Sequence, residues 1–533
     1  MDVFPGPRMI VDSRTIPAGS RLQADLCVVG AGPAGITIAR EFVNHSRQVV
    51  LLESGGIGVE PDLQCLGMGN VVGHPYPPLH VCRRRVLGGS SIYWGGWTRS
   101  LDDIDFEKRA WIPYSGWPFT KEHLKTEYAR ALSILKLGEC CCDREQMEVK
   151  DGGSFLKLNA PAFEGISFQI NGVRFGKIYR EELRNARNLT LLLRANAFEI
   201  EMDHANRTAL SIRAATSEGK RFVVSSRRFV IAAGGIENAR LLLVSRGSRT
   251  CGVGNENDLV GRFFSDHLHV RLSSVPLNGR QVPKFYHLRK SGKGVLRGGV
   301  SLTEDVRRRD KLLGFAVTIH NPDNPHDVVY PDYANLGYDS LHALAKPLIE
   351  GELPKLVGYH ARSVLRHPAN AGSLLFRKLV TARWRAFMIG CRAEQVPNPD
   401  SRVVLDHERD SFGMNRVRLD WRLTAQDFDS LRRARQLLDD AWGLANKDLC
   451  LKETGTRHVA EVSGASHHMG TTRMHRDPKL GVVDEMCRVH GVRNLYVAGS
   501  SVFPTSGWAP PTLTIIALAL RLADFLKQSP PST

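Results

Sequence analysis

The sequence lacks a hydrophobic run long enough to cross a membrane. Its longest strongly apolar run, Leu513–Leu520, is far shorter than the ~20 residues that span a bilayer as a helix. Residues Met1–Leu22 contain neither an apolar core of signal-peptide length nor a twin-arginine motif. We therefore predict a protein without an integral membrane segment and with a cytoplasmic location.

The sequence also lacks a cysteine framework of the kind found in secreted or zinc-binding domains. Its ten cysteines are scattered, and the tight cluster Cys140–Cys142 has no Cys or His pair nearby at zinc-ligand spacing. Reduced thiols are the simplest account, so we expect no metal site. A structural metal at this cluster is the alternative.

The charge balance is strongly basic, yet no basic tail is present. The formal net charge is +17, and the densest runs are the short segments Arg83–Arg85 and Arg307–Arg309. Such a balance can favour nucleic acid, an anionic membrane surface or an acidic substrate. Because no nucleic-acid-binding motif is present, we prefer a solvated basic surface and expect no nucleic-acid partner. A segment that mixes apolar and basic residues, 341–385, could touch a membrane surface, but a helix or loop of a substrate domain is the preferred interpretation.

A pattern typical of nucleotide binding lies near the N-terminus, from Ala24 to Glu53. The apolar strand Ala24–Val29 runs into the glycine-rich segment Gly30–Gly35, a helical apolar pattern follows, and a second apolar strand, Val49–Leu52, ends at Glu53. Strand, glycine turn, helix, strand and acid within about thirty residues form the fingerprint of a dinucleotide site.

Each part of this pattern has a physical task. Gly30 permits the tight turn, Gly32 lets the backbone approach a pyrophosphate, and Gly35 lets helix and strand pack closely. The helix that follows points its unpaired N–H groups at the phosphates, and Glu53 can accept hydrogen bonds from the ribose hydroxyls.

The choice between FAD and NAD rests on the rest of the chain. The small-residue segment Arg83–Gly96 would let backbone amides pass close to a flat ring, and two further apolar strands end in glycine, at Phe229–Gly235 and Asn494–Gly499. A nucleotide-binding sheet assembled from both ends of a chain is usual for large flavoproteins. We therefore predict FAD.

The C-terminal seventy residues carry the strongest pattern. His467–Met474 precedes Gly481–Asp484, then Val489–Thr505, and a final helix is predicted to open at Pro511. With these blocks the sequence resembles the glucose-methanol-choline (GMC) family of FAD-dependent oxidoreductases, and in particular its pyranose-oxidase-like branch. The resemblance runs from about Asp25 to Leu526.

The resemblance implies the fold and the domain limits. It implies an α/β protein (α+β overall) with a Rossmann-like FAD-binding domain and a discontinuous substrate domain built on a large antiparallel sheet. We assign 18–100, 165–265 and 465–533 to the first domain, and 101–164 and 266–464 to the second.

The resemblance also implies the chemistry and the site. His467 would be the base that takes a hydroxyl proton while the hydride of an alcohol or sugar carbon moves to flavin N5, because a histidine pKa lies near working pH. Gln395 would hydrogen-bond a sugar hydroxyl or else brace its turn. The expected FAD contacts are Gly30, Gly32, Pro33, Ala34, Gly35, Glu53, Gly88, Gly89, Ser90, Ser91, Tyr93, Trp94, Ala197, Ala233, Gly234, Gly499, Ser500, Pro511 and Thr512.

Two positions depart from the family pattern. Pro510 stands where the branch has an Asn, and other members a His, that holds the substrate oxygen; Trp508 or His468 could substitute for it. Losing such a polar group costs on the order of 10²–10³ in rate. Tyr93 stands where some pyranose oxidases attach FAD covalently through a His, so we expect FAD to be bound without a covalent bond.

The function predicted from the sequence is oxidation of a CH–OH group in a sugar, glycoside or other alcohol. The electron acceptor can be oxygen, a quinone or a carrier protein, and the oligomeric state is left open. A flavin-dependent tailoring enzyme or lyase of the same fold is the alternative that Pro510 motivates. A basic binding protein is the alternative that charge alone would support.

Overall fold

The computed structural model describes residues 10–138, 162–247, 251–276, 282, 284–291, 294–321, 344, 357–366, 386–442 and 462–528. The cysteine cluster at 140–142 lies outside the described residues, as does most of the segment 341–385. Among the residues that are described, no group of three or more His, Cys, Asp or Glu side chains is arranged to hold a metal ion.

Strands and helices alternate along the chain. The strands are β1 (Ile10–Asp12), β2 (Arg21–Val29), β3 (Val49–Glu53), β4 (Gly69–Gly73), β5 (Trp97–Thr98), β6 (Phe163–Ile170), β7 (Leu189–Leu193), β8 (Asn196–Met202), β9 (Ala209–Ala215), β10 (Arg221–Ile231), β11 (Leu268–Pro276), β12 (Arg289–Ser291), β13 (Gly294–Leu302), β14 (Phe315–His320), β15 (Ala386–Ala393), β16 (Arg402–Arg409), β17 (Asn415–Trp421), β18 (Val462–Gly464) and β19 (Leu495–Val497). The helices are α1 (Pro33–Glu41), α2 (Pro61–Cys65), α3 (Asp103–Phe106), α4 (Lys125–Ile134), α5 (Phe175–Ile178), α6 (Arg180–Asn185), α7 (Gly235–Val244), α8 (Glu304–Arg309), α9 (Val357–Arg366), α10 (Ala425–Trp442) and α11 (Thr512–Gln528).

The first sheet has eight strands in the order β1-β7-β3-β2-β10-β9-β8, with β19 paired to β10. The strands β1, β7, β3, β2, β10 and β19 are parallel to one another. Strands β10, β9 and β8 form an antiparallel meander. Strand β3 is a run of Val and Leu ending in Glu, and every residue of it is buried. Such continuous apolar strands are typical of a parallel sheet covered on both faces.

The helices α1 and α11 pack together within the same apolar core as this sheet. Helix α11 has an apolar composition and buries ten of its residues, from Leu513 to Leu526. The chain therefore closes its nucleotide-binding layer with the last helix, as expected for a sheet assembled from both chain ends.

The second sheet also has eight strands, in the order β18-β11-β15-β14-β13-β6-β5, with β12 paired to β13, and all pairings are antiparallel. Directly opposed residues point to the same face. One face carries a buried apolar row, Val270, Cys391, Val317 and Val300. The other carries the mainly polar row His269, Arg392, Ala316 and Ser301, of which only Ala316 is apolar.

The prediction of a Rossmann-like nucleotide-binding part and a large antiparallel sheet is confirmed. The residue limits of the two domains stay a prediction. Strand β6 pairs within the antiparallel sheet, although the predicted limit at 164/165 would give most of it to the nucleotide-binding part. A small three-stranded sheet, β16-β17-β4, joins distant segments.

We find no helix among the described residues that is both long and apolar enough to cross a membrane.

Candidate active site

Four adjacent parallel strands end at one edge of the first sheet. Strand β3 ends at Glu53, β2 leads into Gly30, β10 is followed by Gly234, and β19 is followed by Gly499. Ligands of open α/β sheets bind outside the carboxyl ends of their strands. This edge therefore unites, from four separate parts of the chain, residues that the sequence predicts as FAD contacts.

The glycine turn after β2 needs glycine at two positions, for two different reasons. Gly30 has a positive φ of 102°, a conformation that glycine adopts without strain. A Cβ on Gly35 would overlap the carbonyl oxygen of Gly30, so α1 can cross the strand end closely only with glycine there. At Gly32 the surroundings differ, because an added Cβ would meet no protein atom within 4 Å.

Open space also lies beside two other glycines of this edge. An added Cβ on Gly234 would have no neighbour within 4 Å, and one on Gly499 would have a single neighbour, at 4.0 Å, in Asn238. Together with Gly32, these positions border a space lined by bare backbone. A pyrophosphate or a flat ring needs such a surface for close approach.

Glu53 is buried at the end of β3 and is held by two backbone amides. Its carboxylate oxygens accept hydrogen bonds from Ala31 N (2.9 Å) and Gly55 N (2.8 Å). Burial raises the pKa of Glu53, and the two amides oppose that shift. Each carboxylate oxygen has a further lone pair, so the side chain can still accept from a ribose hydroxyl.

The segment Gly88–Trp94 crosses the glycine turn. Gly88 donates its N–H to Ala31 O (2.8 Å), and both Gly88 and Gly89 have positive φ. Ser91 donates to Gly88 O at 2.6 Å, and Trp94 Nε1 donates to Val173 O at 2.9 Å.

Tyr93 is 57% exposed in the same segment, and the guanidinium of Arg84 lies 4.8 Å from the centre of its ring. Ser90 accepts a hydrogen bond from Arg84 N. The tyrosine therefore faces open space at the position where a histidine would carry a covalent bond.

Asn238, on α7, joins two of the strand ends and was not predicted as a site residue. Its Oδ1 accepts from Ala233 N (2.7 Å), and its Nδ2 donates to Ala498 O (3.1 Å) and to Ser501 Oγ (2.9 Å). The side chain thus fixes the glycine that follows β10 beside the glycine that follows β19. The available sequence signal is an Asn four residues after Gly234, just beyond the segment Phe229–Gly235.

Two of the remaining predicted contacts, Ala197 and Ser500, lie on or just after strands of this sheet. Ala195 N donates to Glu53 O (2.9 Å), which places Ala197 on the adjoining strand β8. Ser500 donates from its hydroxyl to His468 O (2.7 Å). Helix α11 begins at Thr512, one residue later than predicted, because Pro511 caps it by accepting a hydrogen bond from Ile515 N (2.9 Å).

The residues present fit FAD. The open glycine edge suits a pyrophosphate, the N-terminus of α1 suits its charge, and Glu53 suits a ribose. The N–H groups of the first turn of α11 have no partners within the helix and would favour negative charge on a bound ring.

His467 lies where the C-terminal block meets the second sheet, in contact with His267. Their Nδ1 atoms are 2.8 Å apart, and the two rings are nearly perpendicular, at 86°. His267 is fully buried, whereas His467 is partly accessible. Among the residues that the structure describes, Nε2 of His467 has no hydrogen-bond partner.

Asp266 fixes the backbone of both histidines. Its Oδ1 accepts from His267 N (2.7 Å) and from His467 N (2.9 Å), and its Oδ2 accepts from the hydroxyl of Tyr76. Burial raises the pKa of Asp266 to about 6, against the opposing effect of these hydrogen bonds. The carboxyl group therefore holds two segments about 200 residues apart in one arrangement.

The pKa values of His267, His467 and His468 are all lowered, so these three rings are neutral at pH 7. Burial, followed by the charge of Arg392, lowers the pKa of His267 to about 3. Burial also lowers the pKa of His467 well below its usual value, with His267 and Arg392 adding to the effect. The pKa of His468 is lowered by burial to about 3.

Gln395 is fully buried behind Asp266. Its Oε1 accepts from Asp266 N (3.0 Å) and Trp421 Nε1 (3.0 Å), and its Nε2 donates to Arg422 O (3.2 Å). These bonds favour the bracing role over the sugar-binding role that the sequence left open.

Neither side chain named as a substitute for Pro510 is available to a substrate oxygen. Trp508 is fully buried and donates its Nε1–H to Asp102 (2.9 Å). His468 places its Nε2 3.5 Å from the Cys82 thiol and is buried. The segment that contains Pro510 instead reaches the site through the Ser506 carbonyl, 3.4 Å from His267 Nε2.

Comparison with known proteins shows similarity to oxidases and dehydrogenases. Residues 397–519 match the model of the GMC oxidoreductase family's C-terminal region. The chain is 25% identical to 6'''-hydroxyparomomycin C oxidase of Streptomyces lividus, over 93% of this chain and 90% of that protein. It is 24% identical to paromamine 6'-oxidase of Streptomyces fradiae, over 94% and 90%. The fructose dehydrogenase large subunit of Gluconobacter japonicus is 26% identical over 67% of this chain and 57% of that protein.

Solved structures share the fold over nearly the whole chain. Pyridoxine 4-oxidase from Mesorbium loti superposes with a TM-score of 0.53 at 16% identity, covering 95% of this chain and 99% of that one. A formate oxidase gives a TM-score of 0.56 at 16% identity, covering 96% and 98%. At such identities the likeness concerns the fold.

The fold, the nucleotide edge and the relatives define an FAD-dependent oxidoreductase that acts on alcohol groups. More narrowly, the chain is similar to GMC oxidoreductases: residues 397–519 match that family's model, and the relatives span most of the chain. The predictions of family, enzyme class and FAD are thereby confirmed, while the roles of individual site residues stay predictions.

Proposed function

We propose that this protein oxidises a CH–OH group of a sugar or glycoside, with His467 as the general base. The observation that carries the proposal is the state of the His467 ring. Its Nδ1 is held by His267, and its Nε2 has no hydrogen-bond partner among the described residues. A neutral, fixed imidazole with one nitrogen that is not hydrogen-bonded is suited to receive a hydroxyl proton.

The side chains of this site would act in a simple order. The substrate hydroxyl donates a hydrogen bond to His467, and its proton passes to the ring as the C–H bond breaks. FAD, when bound, supplies the acceptor of the hydride. Asp266 would keep both histidine backbones in place throughout, since it accepts from both amides.

The substrate class is supported by relatives that span most of the chain. Two of these relatives are named as oxidases of paromamine and of a hydroxyparomomycin. A third is named as a fructose dehydrogenase subunit. We therefore propose a polyhydroxylated substrate rather than a simple alcohol. Oxygen, a quinone and a carrier protein are the acceptors to compare, because both oxidases and dehydrogenases occur among these relatives.

We also propose that FAD is held without a covalent bond and that the enzyme acts in the cytoplasm. Tyr93 replaces the histidine that would carry the bond. Acid precipitation should then release the flavin completely into the supernatant.

The test of His467 is the anaerobic reduction of bound flavin by a panel of sugars, glycosides and aminosugars. His467→Asn should slow reduction by a substrate of the parent enzyme on the order of 10²–10⁴-fold, which is the usual contribution of a general base. The bound FAD per protein should be unchanged. His407→Asn, the same substitution at an exposed histidine on β16, is the matched control and should behave as the parent. Equal rates in His467→Asn and the parent would refute the proposal.

A further inference from the structure

The His267–His467 contact carries information about where protons sit on the two rings. Both contact atoms are Nδ1, at 2.8 Å. A neutral imidazole has one N–H and one bare nitrogen, so a hydrogen bond between two such atoms needs the proton on one ring and a lone pair on the other. Two arrangements are therefore possible at this contact.

The other end of His267 decides between them. Its Nε2 lies 3.4 Å from the carbonyl oxygen of Ser506, and the Gly507 backbone provides a second favourable contact. A carbonyl oxygen only accepts, so a bare Nε2 would face it lone pair to lone pair. His267 therefore carries its proton on Nε2, and its Nδ1 is bare.

The bare Nδ1 of His267 then needs a donor, and His467 is the group in contact with it. His467 must carry its proton on Nδ1, which leaves its Nε2 as a lone pair. In the opposite arrangement Nε2 of His467 would be an N–H and unable to receive a proton. We propose that His267 is a positioning residue that fixes His467 in the tautomer with a bare Nε2.

The surroundings of the pair make this arrangement rigid. Asp266 accepts from the backbone amides of both residues, and Ser265 and Met469 exchange two backbone hydrogen bonds, of 3.1 and 3.0 Å, beside them. The charged and titratable neighbours are Asp266, His269, Arg392 and His468. His267 itself is fully buried, so water cannot replace it as the acceptor.

The inference rests on the proposed base role of His467 for its kinetic consequence, but the tautomer itself can be observed without turnover. In the holoenzyme labelled with ¹⁵N-histidine, the two ring nitrogens of His467 should show a protonated Nδ1 and a bare Nε2. The resonances are assigned by their loss in His467→Asn. A protonated Nε2 in the parent would overturn the proposal, whatever the kinetics show.

Two substitutions at position 267 separate the acceptor from the bulk of the side chain. His267→Leu removes the acceptor, so His467 should lose its fixed tautomer, and the limiting rate of flavin reduction should fall by at least about 10²-fold. His267→Asn restores an oxygen that can accept from Nδ1–H, and its rate should lie within about tenfold of the parent. In both variants KM and bound FAD should change little.

The outcomes distinguish the two proposals. If His467→Asn reduces flavin normally, the base role fails, while the NMR result still tests the tautomer. If His267→Leu keeps the parent tautomer and rate, the positioning role fails and the base role stands. If His267→Leu does not fold, the spectrum of the parent and the rate of His267→Asn still test the proposal. A slow His267→Asn variant in which His467 has no single tautomer would refute the positioning role, because the asparagine oxygen should restore the hydrogen-bond acceptor.

Discussion

At the scale of single residues, the site depends on histidine rings that are neutral. Burial lowers the pKa of His467 well below its usual value, so the ring is unprotonated across the neutral pH range. A base with such a pKa is always available, but it depends on its neighbours for orientation. Pro510 is therefore important, because its side chain has no polar atom that could help to orient the substrate.

Restoring an asparagine at position 510 tests whether the native site was built for alcohol oxidation. We expect Pro510→Asn to change the rate of flavin reduction by less than about tenfold, because an adapted site already orients its substrate. The measurement is the same anaerobic reduction with the same sugars. A gain on the order of 10²–10³, the usual worth of such a polar group, would instead favour a tailoring enzyme or lyase.

Residue roles can be predicted where a short motif carries them. Roles are predicted for Gly30, Gly32, Gly35, Glu53 and His467 because their spacing along the chain is tied to the expected task. No role is predicted for His267, because its contact joins positions 200 residues apart and no local pattern encodes such a contact.

At the scale of elements, the glycine turn combines two different constraints. Gly35 is needed by the fold itself, because any Cβ there would overlap the Gly30 carbonyl. Gly32 has an ordinary extended backbone, with φ −81° and ψ −171°, and no protein atom near its missing Cβ. We therefore predict that the space left open at Gly32 receives the cofactor.

This contrast gives a prediction for two alanine variants. Gly32→Ala should fold normally but retain less FAD, because its methyl group enters the space where a pyrophosphate approaches. Gly35→Ala should lose both soluble yield and FAD. The FAD-to-protein ratio and the thermal midpoint of the purified proteins measure the two effects. Full FAD retention in Gly32→Ala would contradict this assignment of the cofactor space.

Elements were predicted well where hydrophobic periodicity is strong. The strands before the glycine turn and before Glu53 lie where expected, within a few residues. The meander β8-β9-β10 was not predicted, because the pairing that assembles it is set by contacts between the strands and not by a local motif.

At the scale of the whole molecule, a buried ionic cluster joins distant segments. Arg109 pairs with Glu394, and Arg307 pairs with Asp105 (2.7 Å) and Glu394 (3.4 Å), with side chains that are at most 1% exposed. The Arg109 and Arg307 charges lower the pKa of Glu394 to about 2, outweighing its burial. Burial raises the pKa of Asp105 to about 6 despite Arg307.

Neighbouring arginines on α8 offer a matched test of this cluster. Arg307→Met would leave the buried Asp105 without its arginine and Glu394 with Arg109 alone, and should destabilise the protein by about 3–5 kcal/mol. Arg308→Met removes a pair with Glu107 in which both side chains are over 40% exposed, and should cost about 0–1 kcal/mol. Denaturant unfolding measures both. Equal effects would show that the cluster contributes little.

The overall architecture was predictable because both chain ends carry strand-and-glycine patterns. Local sequence patterns do not predict which sheet each short strand joins. Strand β6 pairs with β13 in the second sheet, a choice made by long-range packing rather than by its own residues.

The most direct test of the central claim is the anaerobic reduction of bound flavin by a sugar panel, in the parent and in His467→Asn. We predict bleaching of the oxidised-flavin band in the parent and reduction on the order of 10²–10⁴-fold slower in the variant, with FAD still bound. Bleaching at the same rate in both proteins would contradict it.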